Sequence, residues 1–105
     1  MVNDVLIIIR SNPYESEQPG EAVRLGLGLV SSGFTVSILL VAQALDIMNE
    51  ECDELLCEEE LEMYLPTLME MAAFYTDEKN AAVAEVKYIE RPSELVGQSR
   101  FVWCF

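Results

Sequence analysis

The chain has no histidine, and only six lysines and arginines stand against nineteen aspartates and glutamates. Nucleic-acid binding works by clustered basic side chains displacing counterions from phosphates, and no such cluster exists here. The formal charge of −13 likewise opposes docking on an anionic membrane surface. Cysteine is scarce too. Three cysteines, an odd number, build no disulfide framework. The first apolar run, Val5 to Ile9, is short and lacks a basic lead, so no secretory leader is expected at this end. No segment approaches the length that spans a bilayer. These absences make the cytoplasm the expected compartment.

What is present is enough apolar material for a core. Hydrophobic residues make up 51% of the 105 residues, an ordinary share for a globule. A chain of this length fits a single domain and buries roughly two-thirds of the surface exposed by its unfolded form. The acidity keeps it soluble, and it also steers toward a basic protein partner. Both readings of the charge stay open.

Val5-Leu6-Ile7-Ile8-Ile9 is apolar on every residue, the mark of a strand buried on both faces between helices. A polar loop, Arg10 to Gln18, follows it, and Pro19 suits the first turn of a helix running from about Gly20 to Ser32. Gly33 suits the left-handed residue that closes such a helix. Phe34 to Val41 then reads as a second strand, completing a βαβ unit. Beyond Ala42 the pattern is helical and acidic to about Glu60. Leu61 to Asn80 is ambiguous: Met63-Tyr64-Leu65 before Pro66 reads as a short strand, or 61–66 as helix. Leu68, Met69, Ala72, Ala73 and Tyr75 fit a helical face. Val83 to Ile89 alternates as a strand, Pro92 to Val96 makes a helical turn or two, and Phe101 to Phe105 closes as a strand. The fold class is therefore α/β, a small parallel sheet of four or five strands with helices on both faces. The apolar surplus at Met63, Tyr64, Leu65, Met69, Met71, Phe74 and Tyr75 points to self-association.

Ligands of open parallel sheets sit beyond the carboxyl ends of the strands, where helix N-termini point inward. Ser11, Asn12, Tyr14 and Ser16 occupy that edge after the first strand, beside the N–H groups near Gly20 and Glu21. They form either a pocket wall for a small polar or anionic ligand or a polar connection that caps the helix. Gly26-Leu27-Gly28 lies inside the helix, so it is no dinucleotide fingerprint, and glycine there permits close helix-to-sheet packing. The loop is poor in the Ser and Thr of a flavodoxin phosphate loop. No flavin and no other cofactor is expected.

Glu50, Glu51, Asp53, Glu54, Glu58, Glu59, Glu60 and Glu62 crowd one segment without the spacing of a calcium loop. They read as a solvated or partner-docking face, and no metal is expected. Cys52 and Cys57, five residues apart, lie about 140° around a helix from each other, so they share neither a disulfide nor a metal there. The carboxylates around Cys57 oppose its thiolate, leaving it a weak candidate for catalysis. Cys104 sits in an apolar strand and reads as a small core residue.

Three stretches resemble the DsrE/DsrF/DsrH family of small sulfur-relay proteins: the first strand entering Asn12-Pro13-Tyr14-Glu15-Ser16, the helix ending Ser32-Gly33-Phe34, and Val86-Lys87-Tyr88-Ile89 with Pro92-Ser93-Glu94-Leu95-Val96. The resemblance implies a three-layer flavodoxin-like fold and assembly into homo- or hetero-oligomers of related small subunits. In active members it implies a persulfide on one cysteine after the third strand. The matching region, taken as Leu65 to Ala73, holds no cysteine, and Cys57 is the nearest. The family's turn after the second strand is replaced by Ala42-Gln43-Ala44-Leu45. The expectation is thus a non-catalytic or supporting subunit, sulfurtransferase-like at most. The alternative is an acidic docking module or a small-ligand-binding domain.

Overall fold

In the computed structural model, which describes residues 3–48, 55–79 and 85–105, nine elements follow one another. They are β1 (Asn3–Ile9), α1 (Gln18–Ser31), β2 (Val36–Leu40), a 3-10 helix (Ala42–Met48), α2 (Glu58–Met71), β3 (Ala73–Thr76), β4 (Val86–Tyr88), α3 (Pro92–Gln98) and β5 (Ser99–Cys104). The five strands form one parallel sheet in the order β4-β3-β2-β1-β5. This is the doubly wound arrangement expected from the apolar strands, with β1 between β2 and β5.

The placement of the helices follows from crossover chirality. A right-handed crossover stepping one way along a sheet puts its helix on one face, and stepping back puts it on the other. From β1 to β2 to β3 the chain steps one way, and α1 and α2 pack together on one face. From β4 to β5 it steps back, and α3 covers the opposite face through Leu95. The strand side chains divide accordingly. Val5, Ile7, Ile9, Val36, Ile38, Leu40 and Phe74 join Ala22, Val23, Leu61, Leu65 and Leu68 in the main core. Leu6 and Leu39 meet Leu95 in the smaller one.

Leu6 and Ile7 are both fully buried, as a two-sided strand requires. Ile8 is only half-buried, because α3 spans seven residues and covers little of its face. The close of α1 is a Schellman motif: Phe34 N–H donates to the Leu29 carbonyl and Gly33 N–H to that of Val30. Gly33 adopts φ 95°, the left-handed value that makes glycine the fitting residue there. Gly26 lies where an added methyl would meet Leu68, Ile7 and Ile38, so it does bring α1 close to the sheet. Gly28 faces open space instead.

Between residues 61 and 76 the structure resolves the ambiguity in favour of helix for 61–66 and corrects the helical face read beyond Met69. Met63-Tyr64-Leu65 is not a strand; α2 runs through Pro66 to Met71. Leu61, Leu65 and Leu68, at i, i+4 and i+7, form the buried stripe that holds it down. Pro66 is exposed, so its ring meets solvent, and the helix forfeits one hydrogen bond there. Ala72 is already extended, and Ala73, Phe74 and Tyr75 belong to β3 rather than to a helical face. The apolar surplus shrinks accordingly. Leu65 and Phe74 are core residues, while Met63 and Met71 remain well exposed. The acidic stretch is not one helix from Ala42: it is the 3-10 segment to Met48, then α2 from Glu58. Cys52, with Glu50, Glu51, Asp53 and Glu54, lies outside the described residues. So do Val83 and Ala84 of the strand read from Val83 to Ile89; its described part is β4.

Candidate functional site

Because all strands are parallel, the loops after β1 and β2 and the N-termini of α1 and α2 gather at one edge of the sheet. The loop after β1 is tied down largely by its own polar groups. Asn12 Oδ1 accepts from Tyr14 N–H at 3.0 Å, an Asx turn, and the Asn12 carbonyl accepts from the N–H groups of Glu15 and Ser16. Ser16 Oγ accepts from Gln18 N–H at 3.1 Å, and Ser11 Oγ donates to Gln18 Oε1 at 2.9 Å. Tyr14 reaches across to the 3-10 segment, its hydroxyl donating to Asp46 Oδ2 at 3.0 Å. Pro13 is buried, and its carbonyl accepts from Leu56 N–H, which fastens the loop to the start of α2. Ser11, Asn12, Tyr14 and Ser16 therefore stand together at the carboxyl edge, with their polar atoms engaged in shaping it.

The N–H groups near Gly20 and Glu21 are not free, contrary to the sequence reading. Gly20 and Glu21 both donate to the Glu17 carbonyl, and Gly20 N–H also bonds to the Cys57 thiol. Cys57 itself is not inside a helix, so the wheel argument that set it about 140° from Cys52 has no footing at its end. It is the N-cap residue of α2, buried, and wedged against the first turn of α1. A run of Glu58, Glu59 and Glu60 straight after a cysteine is the acidic first turn that a helix dipole favours. Read as a first turn instead of a solvated face, that run would have placed the start of α2 at Glu58. The meeting of Cys57 with Gly20 carried no such signal.

Burial is the main reason that the Cys57 thiol is pushed up from its ordinary pKa. Hydrogen bonds from the backbone of Gly20 and of Cys57 itself pull the other way, and the charges of Glu60 and Glu17 push up again. The carboxylates that matter are thus these two, one from each helix, rather than the whole acidic run. Glu60 turns Oε2 inward without a hydrogen-bond partner, opposite Gly20. Cys104 also departs from its expectation. It is exposed, because β5 is an edge strand rather than an interior one.

Gly20 sets the distance between the two helix starts. A methyl group there would lie 2.6 Å from Cys57 Cβ, inside any tolerable contact. Gly20→Ala should therefore lower the unfolding free energy by about 1–3 kcal/mol, the usual cost of overpacking. Urea denaturation measures it. A neutral or stabilising result would mean that α1 and α2 separate there more freely than the geometry allows.

At the carboxyl end of β2, Ala42 holds φ 54°, a left-handed value rare for a residue with a side chain. At the end of β3, Thr76 is buried, and its Oγ1 accepts from Glu78 N–H at 3.1 Å. Among the described residues, no group of three or more Cys, Asp or Glu side chains is placed to hold a metal ion, and no helix is long and apolar enough to cross a membrane.

No family model and no curated protein matches the chain. Among solved structures, it is similar to the YchN protein from E. coli, known from its crystal structure. The two are 13% identical, with a TM-score of 0.70, over 99% of this chain and 100% of that one. At that identity, the likeness shows a shared fold.

Proposed function

We propose that the chain is a sulfur-relay-like protein of the DsrE/DsrF/DsrH type that supports a sulfur-carrying subunit and does not carry sulfur itself. In this reading residues 1–105 form a single domain that works in the cytoplasm, in a homo- or hetero-oligomer with related small subunits. The fold implied by the family resemblance is the fold observed. The observation that carries the supporting role lies at the end of the third strand, where the resemblance expects the sulfur-bearing cysteine. That strand ends at Thr76, later than the sequence matching had it, and residues 77–85 include no cysteine. Cys57, the nearest alternative, belongs to the preceding helix start, and is buried with its thiolate disfavoured.

The test is a persulfide assay. The protein is incubated with a cysteine desulfurase and isotopically labelled cysteine, then mapped by mass spectrometry. Unmodified thiols throughout, at Cys52, Cys57 and Cys104, are expected. Labelled sulfur on Cys57 would make the chain a carrier and overturn the supporting role.

A further inference from the structure

We propose that β5 is a self-pairing edge, through which two copies of the chain join their sheets in antiparallel register centred on Val102. Among the described residues, the strand lies at one end of the sheet and pairs with β1 only. Phe105 N–H donates to the Ile8 carbonyl and its carbonyl accepts from Arg10 N–H, so its backbone groups face β1. Backbone groups alternate along a strand, so those of Arg100, Val102 and Cys104 face outward. These three residues are the unpaired template that an edge strand offers.

The side chains agree with this. Phe101 and Trp103 are in register with Val5 and Ile7, so they lie on the α1 side of the sheet. There they are 54% and 41% exposed, since α1 covers β1 and β2 and leaves β5 open. With Val102 opposite itself, Arg100 faces Cys104 of the second copy, and Phe101 faces its Trp103. All three outward-facing residues then pair, and each aromatic ring gains an aromatic partner across the junction. Registers centred on other residues leave one of the three unpaired.

Charge selects the same edge. Two chains of −13 each repel, so contact is opposed least where acids are absent. From Leu95 to Phe105 there is no Asp or Glu, and Arg100 is the one charged side chain of that segment. Isologous contact of this kind closes on itself, giving a dimer rather than a fibre.

The test measures mass and fluorescence on the full chain. Light scattering at about 100 μM should give twice the 11.8 kDa chain mass. Emission from Trp103, the single tryptophan, should shift to shorter wavelength as concentration rises. Val102→Pro removes an outward N–H that β1 does not use, and Phe101→Glu places a new charge against the partner's tryptophan. Both should give the monomer mass, with circular dichroism unchanged. Should Val102→Pro fail to fold, Phe101→Glu decides alone. In Arg100→Cys, oxidation should link position 100 of one copy to Cys104 of the other. A strict monomer, a dimer untouched by Phe101→Glu, or a link mapped elsewhere would overturn the proposal.

Discussion

Ile7→Ala is expected to lower the unfolding free energy by about 3–5 kcal/mol, the upper part of the range for deleting a buried isoleucine. Ile7 is fully buried, and its Cδ1 lies beside Gly26, where α1 comes closest to the sheet. The hole left by the truncation is roofed by a rigid helix and floored by paired strands, so it has little room to collapse. Ile8→Ala is the matched control, the same chemistry one residue on. Ile8 faces the thinly covered side and should cost only about 1 kcal/mol. Urea melts of the two variants give the comparison directly. A larger loss at Ile8 would mean that the sheet faces are assigned the wrong way round, and equal losses that α3 covers far more than its length allows.

The second large effect is chemical. Cys104 should alkylate with iodoacetamide markedly faster than Cys57 at neutral pH, since the reagent must reach the sulfur and burial disfavours the Cys57 thiolate. Cys57 is 5% exposed and its pKa is raised, chiefly by burial, whereas Cys104 is exposed. Peptide mapping on dilute protein resolves the two sites, and equal rates would refute the enclosed position of Cys57. The same shift makes stability depend on pH. Folding raises the thiol's pKa, so the native state holds the proton more tightly than the unfolded chain does. The associated stability is complete below the unfolded titration, near ~8.5, and is lost as pH rises through the folded value. Between neutral pH and pH ~10, wild type should therefore lose stability relative to Cys57→Ala.

The parts of the fold that sequence exposes are those whose burial is uniform along the element. Val5 to Ile9, apolar throughout, reads as a two-sided strand and is buried except at half-buried Ile8, and Gly33 closes the first helix with its left-handed conformation. The second half resisted because two rules conflicted in one segment. Leu61, Leu65 and Leu68 announced a helix, while Pro66 announced its end, and tertiary packing of the stripe prevailed over the proline. Cys104 was misread because β1 and β5 show the same run of apolar letters, whether the strand is interior or marginal. At the candidate site, connectivity alone puts Ser11 to Ser16 at the carboxyl edge. The approach of Cys57 to Gly20 depends on how two helices dock, and no local pattern encodes that distance.

The pairing of β1 with β5 sets an order of events for the newly made chain. Asn3 and Ser99, joined by a side-chain hydrogen bond of 3.1 Å, are 96 residues apart. A ribosome adding about 5–20 residues per second needs about 5–20 s to bridge that interval. Until β5 is made, Val5 to Ile9 lacks one of its two neighbours. The pairing of longest sequence separation in the sheet therefore waits until β5 has been made, and a companion that shields that open side during synthesis would raise the yield of folded protein.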